Sequence, residues 1–122
     1  MSDHAKTGIT FDTARQIALS FPGVEEGESF GAPVFRLRKG LILSPAGREK
    51  GNILALKVGK MEAEFMIEAE PELYYNTEHY RIWCGVLIRM DNISAAEFRH
   101  IFEKAWRRLA TKRAVAAYDA AR

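Results

Sequence analysis

The chain has 122 residues and a mass of 13.8 kDa, one domain's worth of sequence at roughly 100–200 residues each. Its 18 Lys+Arg against 16 Asp+Glu leave a net charge of +2, too small a surplus for a domain that holds nucleic acid by bulk charge. One cysteine, Cys84, excludes an internal disulfide framework, and the longest apolar run, residues 82–88, falls far short of the ~20 that a membrane helix needs. The polar start has no apolar stretch of the secretory kind, so the expectation is a mobile tail over residues 1–8, a single domain over 9–122, a cytoplasmic setting and no membrane partner.

In chain order, Phe11, Ala14, Ile17, Ala18 and Phe21 recur at helical spacing behind Thr10, a suitable N-cap, and Pro22-Gly23 ends the helix. Residues 22–33 hold five glycines or prolines and three glutamates, which predicts a long loop. Two short apolar runs, 34–38 and 41–44, flank Lys39-Gly40 and read as a hairpin. A polar tip over 44–52 leads to a third strand, 53–58. Residues 61–70 alternate like a strand, but their Met, Glu and Ala are helix formers bracketed by Gly59 and Pro71, so a helix is expected. Aromatic and β-branched residues then predict strands at 73–76 and 81–90.

The last helix is the most fully specified. Ser94 and Glu97 form a capping box, with Ile93 and Phe98 placed as a hydrophobic staple. Phe98, Ile101, Phe102, Ala105 and Leu109 make one apolar stripe, Trp106 lies at its border, and His100, Lys104, Arg107 and Thr111 lie opposite. Lys112 and Arg113 then turn back toward the apolar side, so the helix either ends near Ala110 or carries snorkelling cations there. The whole reads as a two-layer α+β domain, α-β(3)-α-β(2)-α, with a mainly antiparallel five-stranded sheet and its helices on one face.

Together, FPGVEEG, FGAPVFRLR, LALKV, EAEPELYYNTEHY, VLIRMD and FEKAWRRLATKR resemble the MmcQ/YjbR family, small bacterial proteins of unknown function that carry a DNA-binding label. The resemblance covers residues 11–113 and is most specific at residues 22–26 and at Tyr75, Thr77, His79 and Tyr80 leading into Val86-Leu87-Ile88-Arg89. It implies the secretion chaperone-like α+β fold, which agrees with the element order, and it brings no set of catalytic residues. Where many members have a bulky aromatic after the hairpin lysine, this chain has Gly40-Leu41.

Catalytic and metal chemistry find little purchase. His4, His79 and His100 show no metal-ligand spacing, and His79 with Cys84 falls short of a four-ligand site. Cys84, read on a strand beside Ile82, Val86 and Ile88, is expected to be a buried, inert thiol. Phosphate-loop glycines are absent, and the glutamates of residues 62–78 read as a solvated acidic face. The expectation is a protein without catalytic residues, cofactor or metal. His79, expected at a strand turn, reads as a bracing imidazole bonded to a backbone group, with a functional-site role as the alternative.

Charge is distributed unevenly. Residues 35–60 hold seven Lys/Arg and one acid, net +6, and residues 61–79 hold six acids and no Lys/Arg, net −6. Strand alternation sets Arg36 and Arg38 opposite Phe35 and Leu37, Lys57 opposite Leu56 and Val58, and Arg81, Trp83 and Arg89 opposite Val86 and Ile88. With Arg48 and Lys50 at the hairpin tip, that open sheet face is suited to DNA phosphates, with Trp83 placed to stack a base. Two other readings stand beside it: a protein-interaction surface, such as a homodimer interface anchored by Trp83, and an ordinary solvated face. The chain is accordingly expected to be a monomer or a homodimer.

Overall fold

A computed structural model describes residues 8–122 of the chain; the expected tail therefore lies outside the described residues except at Gly8, whose amide donates to the Ile93 carbonyl at 2.7 Å. Helix α1 (Phe11–Leu19) starts where expected, with the Thr10 hydroxyl accepting from the Thr13 amide. Its buried Ala14, Ile17 and Ala18 join the main apolar core. The six strands are β1 (Glu25–Ser29), β2 (Ala32–Leu37), β3 (Gly40–Pro45), β4 (Ile53–Lys57), β5 (Tyr74–Tyr75) and β6 (Gly85–Arg89), ordered β1-β2-β3-β4-β6-β5 with every pair antiparallel.

Between them run α2 (Lys60–Ala69) and a short α3 (Glu78–Ile82), and α4 (Ala95–Leu109) and α5 (Lys112–Ala120) follow β6. No helix among the described residues is long and apolar enough to cross a membrane.

The α+β class and the antiparallel sheet are as expected, but the sheet has six strands where five were read. The additional strand is β1, in the segment read as a loop. It pairs Glu25 with Arg36 and Ser29 with Ala32, and its tight turn sets Phe30 at φ 52° and Gly31 at φ 80°. An edge strand with mostly solvated side chains needs no alternating apolar pattern; its ladder of backbone hydrogen bonds is enough, and its three glutamates discourage pairing with a further strand.

The strand expected over 81–90 is halved. Residues 78–82 wind into α3, closed by the Arg81 amide on the Thr77 carbonyl at 2.9 Å, and Cys84 at φ 69° breaks the path into β6. Ile82 is consequently 75% exposed, and Cys84 is a half-buried thiol at a helix–strand corner instead of a buried strand residue. The other correction lies past Ala110. Thr111 caps a separate helix by accepting from the Ala114 amide at 3.0 Å, which leaves Lys112 and Arg113 exposed and brings Val115 and Tyr118 against the core.

Two apolar clusters sandwich the sheet. The larger lies under α1, α2 and α4, where Phe35, Leu43, Leu56 and Val86 meet Met66, Phe98 and Phe102. Each such fully buried side chain stabilises by roughly 1.5–3 kcal/mol. Trp106, read as a border residue, is wholly buried there; it stacks at a tilt on Phe21 and Tyr118, and its Nε1 donates to the Pro22 carbonyl at 2.8 Å. The smaller cluster lies on the opposite face, where Tyr80 of α3 closes over Ala55 and Leu87 with Tyr75 and Trp83 at its rim. Helices therefore occupy both faces. The α3 helix crosses to the second face because Tyr80 needs an apolar bed, which the small residue Ala55 leaves room for.

Candidate nucleic-acid interface

The β2–β3 hairpin decides where two of the expected cations go. Leu37 pairs with Gly40, so its turn residues are Arg38 and Lys39, not Lys39-Gly40, at φ 54° and 73°. Two left-handed residues in succession make the two-residue turn that matches sheet twist, at a steric cost that glycine or asparagine would avoid. They also end the strand alternation. Arg36 stays on the second face, lying across Gly27 with its Nη1 2.7 Å from where a Cβ would stand. Arg38 turns toward the helix layer and donates from Nη1 to the Leu109 carbonyl at 3.3 Å, at the end of α4 where the helix dipole favours a cation.

Lys57 and Arg89 are on the second face as expected, in register with Gly85 and Ile53. Trp83 is not on a strand: it caps α3, its ring lies directly over Gly85, where a side chain has no room, and it meets Tyr80 edge to face at 6.5 Å. The Lys57 ammonium stands 5.6 Å from that ring's centroid, so Trp83 is half-buried beneath a lysine rather than open for base stacking.

Arg89 is drawn inward. Its guanidinium lies 4.2 Å from the Tyr75 ring centroid, with Nη1 buried and unpartnered among the described residues. The Tyr75 hydroxyl donates to Glu49 at 2.8 Å, and burial together with that carboxylate pushes its pKa up to about 12. Arg48 and Lys50 are exposed at the β3–β4 tip. Since β3 runs antiparallel to β2, that tip lies at the opposite end of the sheet from Arg38, a strand length of roughly 20 Å away. His79 is exposed, and its imidazole makes no hydrogen bond among the described residues; the ring packs edge-on against Tyr80 at 4.7 Å, so the expected bond from the ring to a backbone group is absent.

The fold instead assembles a basic end that strand alternation could not reveal. Arg38 reaches the α4 terminus, and the Arg108 side chain there lies 3.3 Å from where a Gly59 Cβ would stand. Gly59 joins Lys57 to Lys60, and its amide donates to the Cys84 carbonyl beside α3. Lys60 and Arg81 line one hollow of about 220 Å³.

Arg38, Lys39, Lys57, Lys60, Arg81 and Arg108 thus come from separate elements to one end of the sheet, and none is in an ion pair among the described residues. All but Lys57 are exposed. The acids of α2 largely point elsewhere: Glu62 is held by Lys104 at 2.9 Å, Glu64 shares the Lys60 hollow outside ion-pair distance, and Glu68 and Glu70 lie at the far end of the helix, about 15 Å on. Lys60 and Arg108 escaped the sequence reading because each lies at a helix end, outside any strand pattern.

No cluster of three or more His, Cys, Asp or Glu side chains is placed to hold a metal ion among the described residues. No curated protein matches the chain. Among solved structures, the crystal structure of the Deinococcus radiodurans protein DR2400, which carries the DUF419 domain, is similar in fold with a TM-score of 0.65 and 18% identity, over 84% of this chain and 80% of that one. The YjbR family model matches residues 19–108, spanning α1's last residue to Arg108 and so the whole sheet and all but the last residue of α4. The chain belongs to the YjbR family.

Proposed function

We propose that this protein is a non-enzymatic binding protein that contacts DNA phosphates weakly and without sequence preference, through the basic end of the sheet. The reading rests on the unpaired cluster of Arg38, Lys39, Lys57, Lys60, Arg81 and Arg108. Unpaired cations held at fixed spacing by a rigid sheet end neutralise successive phosphates and release their counterions, and nothing in that chemistry reads base edges. Arg36, Arg48, Lys50 and Arg89, the other cations of the sheet, lie outside this surface.

With about four to six phosphates neutralised, log K for a short duplex falls with log salt at a slope of roughly −4 to −5. Lys60→Glu with Arg108→Glu weakens every duplex sequence alike, and Arg48→Glu with Lys50→Glu, at the far end, leaves affinity nearly unchanged. No detectable binding at about 50 mM salt, where phosphate contacts are strong, refutes the proposal, as does equal sensitivity to the two double reversals.

A second reading, contact with another protein, is favoured by α2. Met61 and Phe65 are 83% and 65% exposed, one turn apart among Glu62, Glu64 and Glu68.

A further inference from the structure

On the second face of the sheet, the part that α3 leaves uncovered forms a trough. One hollow of about 230 Å³ lies between α3 and β3, and another of about 380 Å³ extends from it toward the β1–β2 turn. Leu41 and Ser44 line both, so the two are continuous. Val34, Ala32 and Leu41 make an apolar floor, with Tyr80 and Trp83 as one wall and the fully exposed Phe30 at the far end. The combined space is of the size that holds a small organic molecule.

Its polar groups are idle. Three aromatic donors elsewhere in the fold are committed, Trp106 to the Pro22 carbonyl, Tyr74 to Glu97 and Tyr75 to Glu49. Trp83, Tyr80 and Ser44 make no side-chain hydrogen bond among the described residues, and all three line the trough. Cations stand at both of its ends. Lys57 sits over Trp83, and Arg48 lines the other end with no ion-pair partner among the described residues. Glu49, the one acid of that loop, is engaged by Tyr75. The charge of Arg48 reaches the Tyr80 hydroxyl, whose pKa burial and Glu49 raise and Arg48 lowers.

We infer that this trough binds a small, flat, apolar anion, an aromatic ring system bearing a carboxylate, sulfonate or phosphate. The rings lie on the Val34–Leu41 floor against Trp83 and Tyr80, and the anionic group meets Arg48. The anion-holding end of the site is separate from the basic end, since Arg48 and Lys50 lie at the opposite end of β3; Lys57, over Trp83, borders both.

The probe is 1-anilinonaphthalene-8-sulfonate, titrated against the full chain in its native state, with uncharged N-phenyl-1-naphthylamine as the ring-only control. Saturable one-site binding is expected, with quenching of Trp83 that Trp83→Phe removes. Arg48→Glu weakens the sulfonate about tenfold, a difference of about 1.4 kcal/mol, and the uncharged control by less than about twofold. Ser44→Trp fills the trough and abolishes both; a thermal scan checks that it is folded, and Arg48→Glu, on an exposed loop, decides the matter if it is not. The DNA salt slope is the same in parent and Arg48→Glu, which separates a failure here from a failure of the DNA reading. No saturable binding below about 1 mM, a weak-binding limit of about −4 kcal/mol, overturns the inference. So does sulfonate binding indifferent to Arg48→Glu, or a concentration-dependent dimer that excludes the probe and shows a second copy covering the trough.

Discussion

Replacing Arg38-Lys39 by Asn-Gly separates stability from function in one variant, because the turn carries both strain and charge. Each residue sits at a left-handed φ, 54° and 73°, which costs a side-chain-bearing residue roughly 1–2 kcal/mol. Glycine at 39 removes that cost but returns roughly 0.4–1 kcal/mol through the greater freedom of the unfolded chain. Asparagine at 38 relieves part of its own strain. Against this stands the exposed hydrogen bond from Arg38 to the Leu109 carbonyl, worth about 0.5 kcal/mol at 3.3 Å.

The balance is a gain of about 0.5–1.5 kcal/mol, or roughly 2–6 °C in Tm for a domain of this size. Differential scanning calorimetry reads the gain, and a DNA salt titration on the same sample should show the slope shallower by about 1.8, two phosphate contacts' worth. A fall in Tm refutes the account of the turn. An unchanged slope removes Arg38 and Lys39 from the proposed interface.

His79→Ala should cost less than about 0.5 kcal/mol in urea unfolding, since an exposed ring with one edge contact is an ordinary surface position; a loss above about 1.5 kcal/mol would restore the bracing role expected from sequence. Alkaline unfolding should begin early. Burial, then the Glu97 hydrogen bond, holds the Tyr74 phenol well above its ordinary value, and burial, then Glu49, takes Tyr75 up to about 12. Above about pH 10 the unfolded chain releases these protons while the native state keeps them, so stability falls as pH rises, with the Tyr75 contribution gone by about pH 12. Tyr75→Phe should flatten that fall, and a variant with the parent's slope would show that Tyr75 is not held neutral by Glu49.

Elements whose signal is local were legible in the sequence. Thr10 and Ser94 cap their helices as read, because a hydroxyl that accepts from the third residue's amide needs nothing beyond its own turn. Helix formers between Gly59 and Pro71 outweighed an alternating pattern, and β2, β3 and β4 followed their apolar runs. The cap at Thr111 was equally local, but Lys112 and Arg113 carried no apolar stripe to draw attention to it.

What the tertiary structure alone decided were the features that depend on a partner far along the chain. Strand β1 exists because β2 offers it a backbone edge, and α3 leaves the strand path because Ala55 and Leu87 offer Tyr80 a bed. The candidate surface has the same character. Alternation correctly set Arg36, Lys57 and Arg89 on one face, yet it could not show that left-handed turn residues send Arg38 the other way, that Tyr75 engages Arg89, or that Arg108 and Lys60 meet at Gly59. Periodicity reports which face a side chain leaves from. Which charges gather is set by where helix ends and turns are packed, and that is a property of the assembled fold.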